Sequence, residues 1–490
     1  MSLLIAAAAL LATPNCVDAL CNADALAPYF RKLAEARGRG GAPVHILQIG
    51  DSHTAGDAIT GGWRDLLQAR YGTGGRGVLA AGRPYAGYLT RGITASMSDG
   101  WSIAATFGAG SGYPRPPIGV SGFSLTSQRS GARLSLTADP QQMFDRFTIC
   151  AMTGPNAGAL SIRVGAQAVR FDLDSYTARP ECRTVKADAP QTMADVVTEG
   201  GPVTVTSWAT FHDAGGIVLS NVGVVGSQLV HFARADDAVM AEELRAYRPD
   251  LIVLAFGTNE GFAPRFSPQE YEITLRTQIG RLRRLAGNVP ILLLGAPDAS
   301  TRRPELRANA PGPAPAYCPA TGPAGPNRPM PMVSATTPMP PPIVPGQTPA
   351  AAVMPTGLAE IIARVRAGEG AAGDGGGADP IAAPAPVVSA PMPLPPLPIV
   401  SDAGRPPLFP PAGLASVRGV QRRVATSLNL AFWDWEARMG GPCSAVGWVR
   451  AYPPLMRGDY VHFNSAGGRE IAGRLQADLE RAAAARGGTR

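Results

Sequence analysis

Short apolar runs that alternate with helical periodicity constrain this fold more than any other feature. "VHILQIG" (44–50), "GGIVLSNVGVVG" (215–226), "LIVLAFG" (251–257) and "VPILLLGAP" (289–297) each read as a buried strand. Between them lie "AITGGWRDLLQARYG", "AEELRAYRPD" and "SPQEYEITLRTQIGRLRRLAG", which read as helices. In the first of these, Trp63, Leu66 and Leu67 are expected on one buried face, with the helix ending at Gly72. A further helix is expected over 24–39, where Leu26, Phe30 and Leu33 recur at helical spacing. Strands alternating with helices define an α/β domain.

Two segments break that pattern. From about 84 to 212 the chain turns to short alternating stretches, such as "ARLSLTA", "RFTICAM", "LSIRVG", "AVRFDL" and "PVTVTSWATF", separated by Gly, Asn, Asp and Pro. This texture predicts an all-β sandwich or jelly roll inserted into the α/β domain. From about 301 to 412 the chain is rich in Pro, Gly and Ala, and its 311–350 stretch carries proline at about every third position. Such a segment buries too little apolar surface to offset its ordering cost, so a disordered, partly polyproline-II insertion is expected, with a short helical stretch at 357–366. The α/β domain is therefore expected in three parts, 24–83, 213–300 and 413–485.

At 490 residues the chain is too long for one small core. The net charge of +7 comes mostly from dispersed arginines, without a Lys/Arg run that would mark a nucleic-acid groove. Residues 1–15 begin with an apolar run, Leu3 to Leu11, too short to span a membrane and similar to the core of a secretory signal, although no Lys or Arg precedes it. No other stretch is long and apolar enough for a membrane helix. Six cysteines admit fifteen complete pairings or six reduced thiols. Local separation favours Cys16–Cys21 and Cys150–Cys182, which leaves Cys318–Cys443. With the signal-like start, disulfides in an exported, periplasmic-type compartment are expected.

The first strand ends in "GDSH", which presents Ser52 at a strand end. A nucleophilic serine needs a general base, and the chain has only five histidines: His45, His53, His212, His231 and His462. His53 adjoins Ser52 in sequence, and adjacent side chains at a turn usually diverge. His45 starts its strand, His212 ends the β segment and His231 lies in a helical stretch. His462 lies in "GDYVHFNSAGG", a loop before the last helix, with Asp459 three residues earlier, where a carboxylate can reach Nδ1. Donors for an oxyanion come from the Ser52 N–H, from Gly226 after "NVGVVG" and from the Asn259 amide in "FGTNEG". Taken singly, Asn259 reads equally as a turn residue, Gly226 as a helix start, Asp459 as a cap and His462 as a loop residue.

In order, Ser52, Gly226, Asn259 and the Asp459-x-x-His462 pair resemble the blocks of the SGNH/GDSL hydrolase superfamily over roughly 40–80, 216–300 and 412–485. The resemblance implies a flavodoxin-like α/β/α sandwich and ester hydrolysis, with Ser52, Asp459 and His462 as catalytic triad. Ser52, Gly226 and Asn259 would form the oxyanion hole, and Asp51 and His53 would stand behind them. Two blocks depart from the commoner form: GDSH replaces GDSL, and Glu260 stands where Asp is common. Ser52 and Gly226 are 174 residues apart. A β module in that interval, with the "AFWDWEARMGGPCSAVGW" stretch, resembles the peptidoglycan O-acetylesterase branch, in which a carbohydrate-binding-like module interrupts the hydrolase.

The resemblance therefore implies an exported serine esterase acting on an O-acetylated cell-wall glycan through an acetyl-enzyme. No cofactor, metal site or nucleic-acid partner is expected, and the oligomeric state is left open. An O-acetyltransferase with the same triad, a broad lipase or thioesterase, and a non-catalytic glycan-binding protein are the alternatives. The Pro-rich segment reads as a loop outside both cores. Deleting 322–405, which spares Cys318, is expected to leave acetate release nearly unchanged, and loss of folding would show the segment to be structural.

Overall fold

The computed structural model describes residues 15–36, 42–88, 90–302, 317–319 and 407–487. The signal-like apolar run and nearly all of the Pro-rich insertion, including 357–366, lie outside the described residues.

A seven-stranded sheet organises the α/β part, in the order β1-β2-β18-β17-β16-β3-β15. Its parallel core comprises β3 (Val44–Gly50), β15 (Ile217–Gly223), β16 (Leu251–Ala255), β17 (Ile291–Leu294) and β18 (Ala431–Trp433). Counted along the chain these five lie in the order 2-1-3-4-5, the flavodoxin-like arrangement. Its direction of winding reverses at β3, so a crevice opens at the carboxyl end of that strand. β1 (Cys16–Val17) and β2 (Leu20–Cys21) form an antiparallel hairpin on β18.

Alternate residues of each core strand feed opposite layers, as the two-residue strand period requires. Leu47, Ile49, Ile252 and Leu254 join Leu275, Ile279 and Val420 beneath the helices Pro268–Ala286 and Leu414–Ser427. Ile46, Leu251 and Val253 join Trp63, Leu67 and Leu475 beneath the helices Ala58–Tyr71 and Ser465–Gly487. Strands covered on both faces read as uninterrupted apolar runs, which is how they appear in the sequence. Leu66 departs from expectation. It is 43% exposed while Trp63 and Leu67 are buried, because i+4 continues the inward stripe and Leu66 turns out of it.

The inserted module is a two-sheet β-sandwich. One sheet orders β11 (Gln167–Asp172), β10 (Ala159–Val164), β13 (Met193–Glu199), β8 (Arg133–Ala138) and β5 (Ile93–Met97). The other orders β12 (Arg179–Gln191), β9 (Phe144–Thr153), β14 (Val203–Phe211), β7 (Phe123–Ser127) and β6 (Trp101–Ala105), with β4 (Gly77–Leu79) also pairing β14. Leu134, Phe147, Ile162, Val196 and Trp208 fill the space between the sheets. A buried carboxylate joins the module to the α/β part. Glu243, on the helix Asp237–Tyr247, accepts hydrogen bonds from Thr206 Oγ1 (2.7 Å), Ser207 Oγ (2.5 Å) and the Val120 N–H (2.6 Å). Burial raises its pKa while these donors oppose the rise.

All six cysteines are bridged, Cys16–Cys21, Cys150–Cys182 and Cys318–Cys443, the pairing expected from sequence. Among the described residues, no helix is long and apolar enough to cross a membrane.

A charged cluster locks the helix after the GDSH turn to β15. Asp57 is fully buried with φ 49°. It accepts from Arg64 (2.9 and 3.3 Å), Arg76 (3.0 Å), Thr60 Oγ1 (2.6 Å) and the Arg91 N–H (3.1 Å). Both arginines also donate to Asn221 Oδ1. Burial opposes the Asp57 charge, but the two guanidiniums outweigh it and hold its carboxyl far below the usual range. A depressed pKa gives stability that is present above the unfolded value and lost only as pH falls through the folded one. Asp57→Asn would leave two buried arginines uncompensated, at a cost of about 3–5 kcal/mol. Denaturant unfolding at neutral pH is expected to show that loss; a change below about 1 kcal/mol would contradict the assignment.

Candidate active site

Three core strands end side by side. In the register of the sheet, Gly50 lies opposite Gly223 of β15 and Ala255 of β16. Ser52, Gly226 and Asn259 follow these ends by two, three and four residues, so one sheet edge collects them. The junction is tight. A Cβ on Gly50 would lie 2.3 Å from Thr54 Oγ1 and 2.5 Å from the Ala255 carbonyl oxygen, and one on Gly223 would lie 2.4 Å from the Ala55 nitrogen. Only glycine admits the turn Ser52–Ala55 this close to the sheet.

Ser52 begins that turn. Asp51 caps it, its Oδ1 accepting the His53 N–H at 2.9 Å. Ser52 Oγ lies 2.9 Å from His462 Nε2, across 410 residues of chain. His462 Nδ1 lies 2.8 Å from Asp459 Oδ2. Asp459 Oδ1 also accepts the backbone N–H groups of Val461 and His462, each at 3.0 Å, so one carboxylate holds both the loop and the ring. Burial works against the Asp459 charge, but the His462 contacts and the two N–H donors prevail and bring its pKa down to about 2. An ionised Asp459 accepts a hydrogen bond from Nδ1–H, which keeps the proton on Nδ1 and leaves Nε2 to accept from Ser52 Oγ–H.

The donors expected from sequence are gathered here. Neither the Ser52 N–H nor the Gly226 N–H donates to another described residue. Gly226 holds φ 76°, the left-handed region that glycine adopts freely. Asn259 Nδ2 spends one hydrogen on the Ser227 carbonyl at 2.9 Å, which fixes the amide and leaves its second hydrogen. Gln228 Nε2 returns a bond to the Asn259 carbonyl at 3.1 Å. Glu260 Oε1 accepts the Leu229 N–H at 2.7 Å, so its carboxylate ties the Gly226 and Asn259 loops together. Burial and the charge of Asp51 push Glu260 up to about 7, and its Oε2 has no hydrogen-bond partner among the described residues.

The other histidines are placed as follows. His45 is buried, with Nδ1–H donating to the Tyr247 carbonyl (2.8 Å) and Nε2 at 2.7 Å from Ser220 Oγ. His212 pairs with Asp145 at 2.7 Å in the β module. His231 lies beside Gly226, and His53 is buried behind His462. The His53 and His462 rings stack at 5.3 Å, with planes 24° apart. His53 Nε2–H donates to the Val461 carbonyl at 3.0 Å, and its Nδ1 stands 3.4 Å from Asp51 Oδ1. It thus touches both the serine turn and the histidine loop. Sequence proximity alone did not reveal this role, because its partner Val461 is 408 residues away.

The structure is an α/β/α sandwich with an inserted β-sandwich, and Ser52, His462 and Asp459 form a hydrogen-bonded chain at the sheet switch point. Among solved structures, one described as a peptidoglycan O-acetylesterase in action matches with TM-score 0.62 and 21% identity, over 94% of this chain and 97% of that chain. The chain therefore has the fold of that esterase. A family-two carbohydrate esterase from Cellvibrio japonicus matches at 16% identity over 42% of this chain and 79% of its own, with TM-score 0.16. A CBM6 module from Clostridium stercorarium, in complex with cellobiose, matches at 17% over 25% and 87%, with TM-score 0.17. No protein-family model matches the chain, and no curated protein matches it.

The histidine environments are testable directly. Burial lowers the His53 pKa, but Asp51, the Val461 carbonyl and Asp459 together raise it above the ordinary 6.5. Burial pushes His45 down to about 4. Imidazole NMR titration is expected to find His53 titrating above 6.5 and His45 near 4. Asp51→Asn is expected to move His53 downward, and an unmoved midpoint would contradict the pairing.

Proposed function

We propose that the protein is an exported serine esterase that removes O-acetyl groups from a bacterial cell-wall glycan. The observation that carries this reading is the continuous chain Ser52 Oγ–His462–Asp459, at 2.9 and 2.8 Å, beside two unspent backbone N–H groups. His462 Nε2 takes the Ser52 proton as Oγ attacks the acetyl carbonyl. Negative charge on the carbonyl oxygen rests on the Ser52 and Gly226 N–H groups and the Asn259 amide. Asp459, ionised at neutral pH, stabilises the imidazolium. The sugar oxygen then leaves with the proton from His462. Water, deprotonated by the same imidazole, releases acetate from the acetyl-enzyme.

The fold shared with the solved peptidoglycan O-acetylesterase supports the substrate class, and three disulfides support an oxidising compartment. In domain terms, we read 24–83, 213–300 and 413–485 as the hydrolase, and 84–212 as a carbohydrate-binding-like insertion. A transferase would use the same residues and differ only in passing the acetyl group to another sugar hydroxyl.

Ser52→Ala is expected to lower acetate release from O-acetylated peptidoglycan and from p-nitrophenyl acetate by about ten-thousand-fold or more, with Asp459→Asn close behind. Equal release by wild type and Ser52→Ala would sink the esterase reading. Transfer to an added oligosaccharide in excess of free acetate would favour the transferase.

A further inference from the structure

An aromatic pair beside the candidate site draws its two rings from different modules. Phe107 follows β6 of the inserted sandwich. His231 lies in the short helix Leu229–Phe232, just beyond Gly226. Their rings stack with centroids 4.3 Å apart and planes 26° apart. Phe107 also abuts the oxyanion loop, since a Cβ on Gly226 would lie 3.0 Å from Phe107 Cε1. The chain beneath it is braced. The Thr106 N–H donates to the Gly122 carbonyl at 3.0 Å, and Arg234 Nη1 donates to the Thr106 carbonyl at 3.0 Å. Both rings remain partly exposed.

The tautomer of His231 follows from one contact. Its Nδ1 accepts the Gln228 N–H at 2.9 Å, so in the neutral ring the proton resides on Nε2. Burial and the charge of Arg234 push the His231 pKa down to about 4, which keeps the ring neutral at pH 7. No described residue accepts from Nε2–H. An apolar wall with one fixed neutral donor suits a pyranose, which offers C–H groups to a ring and hydroxyl or acetamido oxygens to an N–H. The acetyl carbonyl bound at the Gly226 N–H would bring its own sugar against this wall.

We propose that Phe107 and His231 form the sugar-binding wall of the active site, with His231 Nε2–H donating to an oxygen of the acetylated pyranose. This rests on the esterase reading above. The inserted module then contributes a specificity-determining residue to the site, beyond any anchoring of the glycan elsewhere.

The test is selectivity. Phe107→Ala is expected to lower kcat/KM for O-acetylated peptidoglycan about tenfold further than kcat/KM for p-nitrophenyl acetate, which has no sugar, with the loss mainly in KM. Tenfold corresponds to about 1.4 kcal/mol. An equal loss on both substrates would overturn the proposal, since the ring would then merely support Gly226. A second readout needs no turnover. In a Ser52→Ala background, calorimetric titration with peptidoglycan-derived glycan fragments is expected to show binding that Phe107→Ala weakens about fivefold. Absent binding, or binding that Phe107→Ala leaves unchanged, would overturn it. Fragment binding sensitive to Phe107, with no acetate released from the polymer by wild type, would support the wall and reject the esterase reading.

Discussion

Three parallel strands end in register around Gly50, and the serine turn presses against that edge where a single added methyl would collide with Thr54 and the Ala255 carbonyl. Everything else in the site inherits its position from this contact. The Asp51 N–H reaches the Ala255 carbonyl at 3.3 Å, and the Val224 N–H reaches the Gly50 carbonyl at 3.1 Å. The loops after β15 and β16 are thereby tied to the first strand before any site side chain is considered. Gln228, Asn259 and Glu260 then lace those two loops to each other. Donors carried by separate loops hold a fixed geometry only when the loops themselves are over-determined, as they are here.

The histidine arm enters from a different direction. Its loop follows the helix Ser444–Arg450 and precedes the closing helix, so the sheet register does not position it. Asp459 folds the loop through two backbone N–H bonds, and His53 grips it from the serine side through Val461. The ring of His462 is therefore held by its own loop below and by the turn that bears its serine alongside. The extra methylene of glutamate over aspartate also has a use at Glu260, whose longer side chain reaches the Leu229 N–H.

Much of this was legible in the sequence because the informative residues are local to strand ends. Apolar runs such as Leu251–Ala255 announce strands covered on both faces, and the groups after them announce donors. Alternation in Arg133–Ala138 and Ala159–Val164 likewise announced the sandwich, with burial on every second residue. The misses have physical causes. Leu66 is apolar yet exposed, since a helix face is set by the i, i+4 stripe rather than by polarity alone. The hairpin Cys16–Val17 and Leu20–Cys21 is too short for any periodicity. His53 and Phe107 act through contacts with Val461 and Gly226, which lie hundreds and more than one hundred residues away in the chain, and such meetings follow from topology.

The third disulfide has a consequence for the long interval between the last two parts of the α/β fold. Thr301 bridges to Phe409 and Cys318 to Leu408, while Cys318 is bonded to Cys443. Residues on either side of 320–406 are thus held together by these bridges and the disulfide. Covalently, a peptide-bond cut anywhere within 320–406 yields two chains that stay joined through Cys318 and Cys443 until a reductant separates them. Ser52 and His462 lie on opposite sides of such a cut, so the bridge keeps the hydrogen-bonded pair in one molecule.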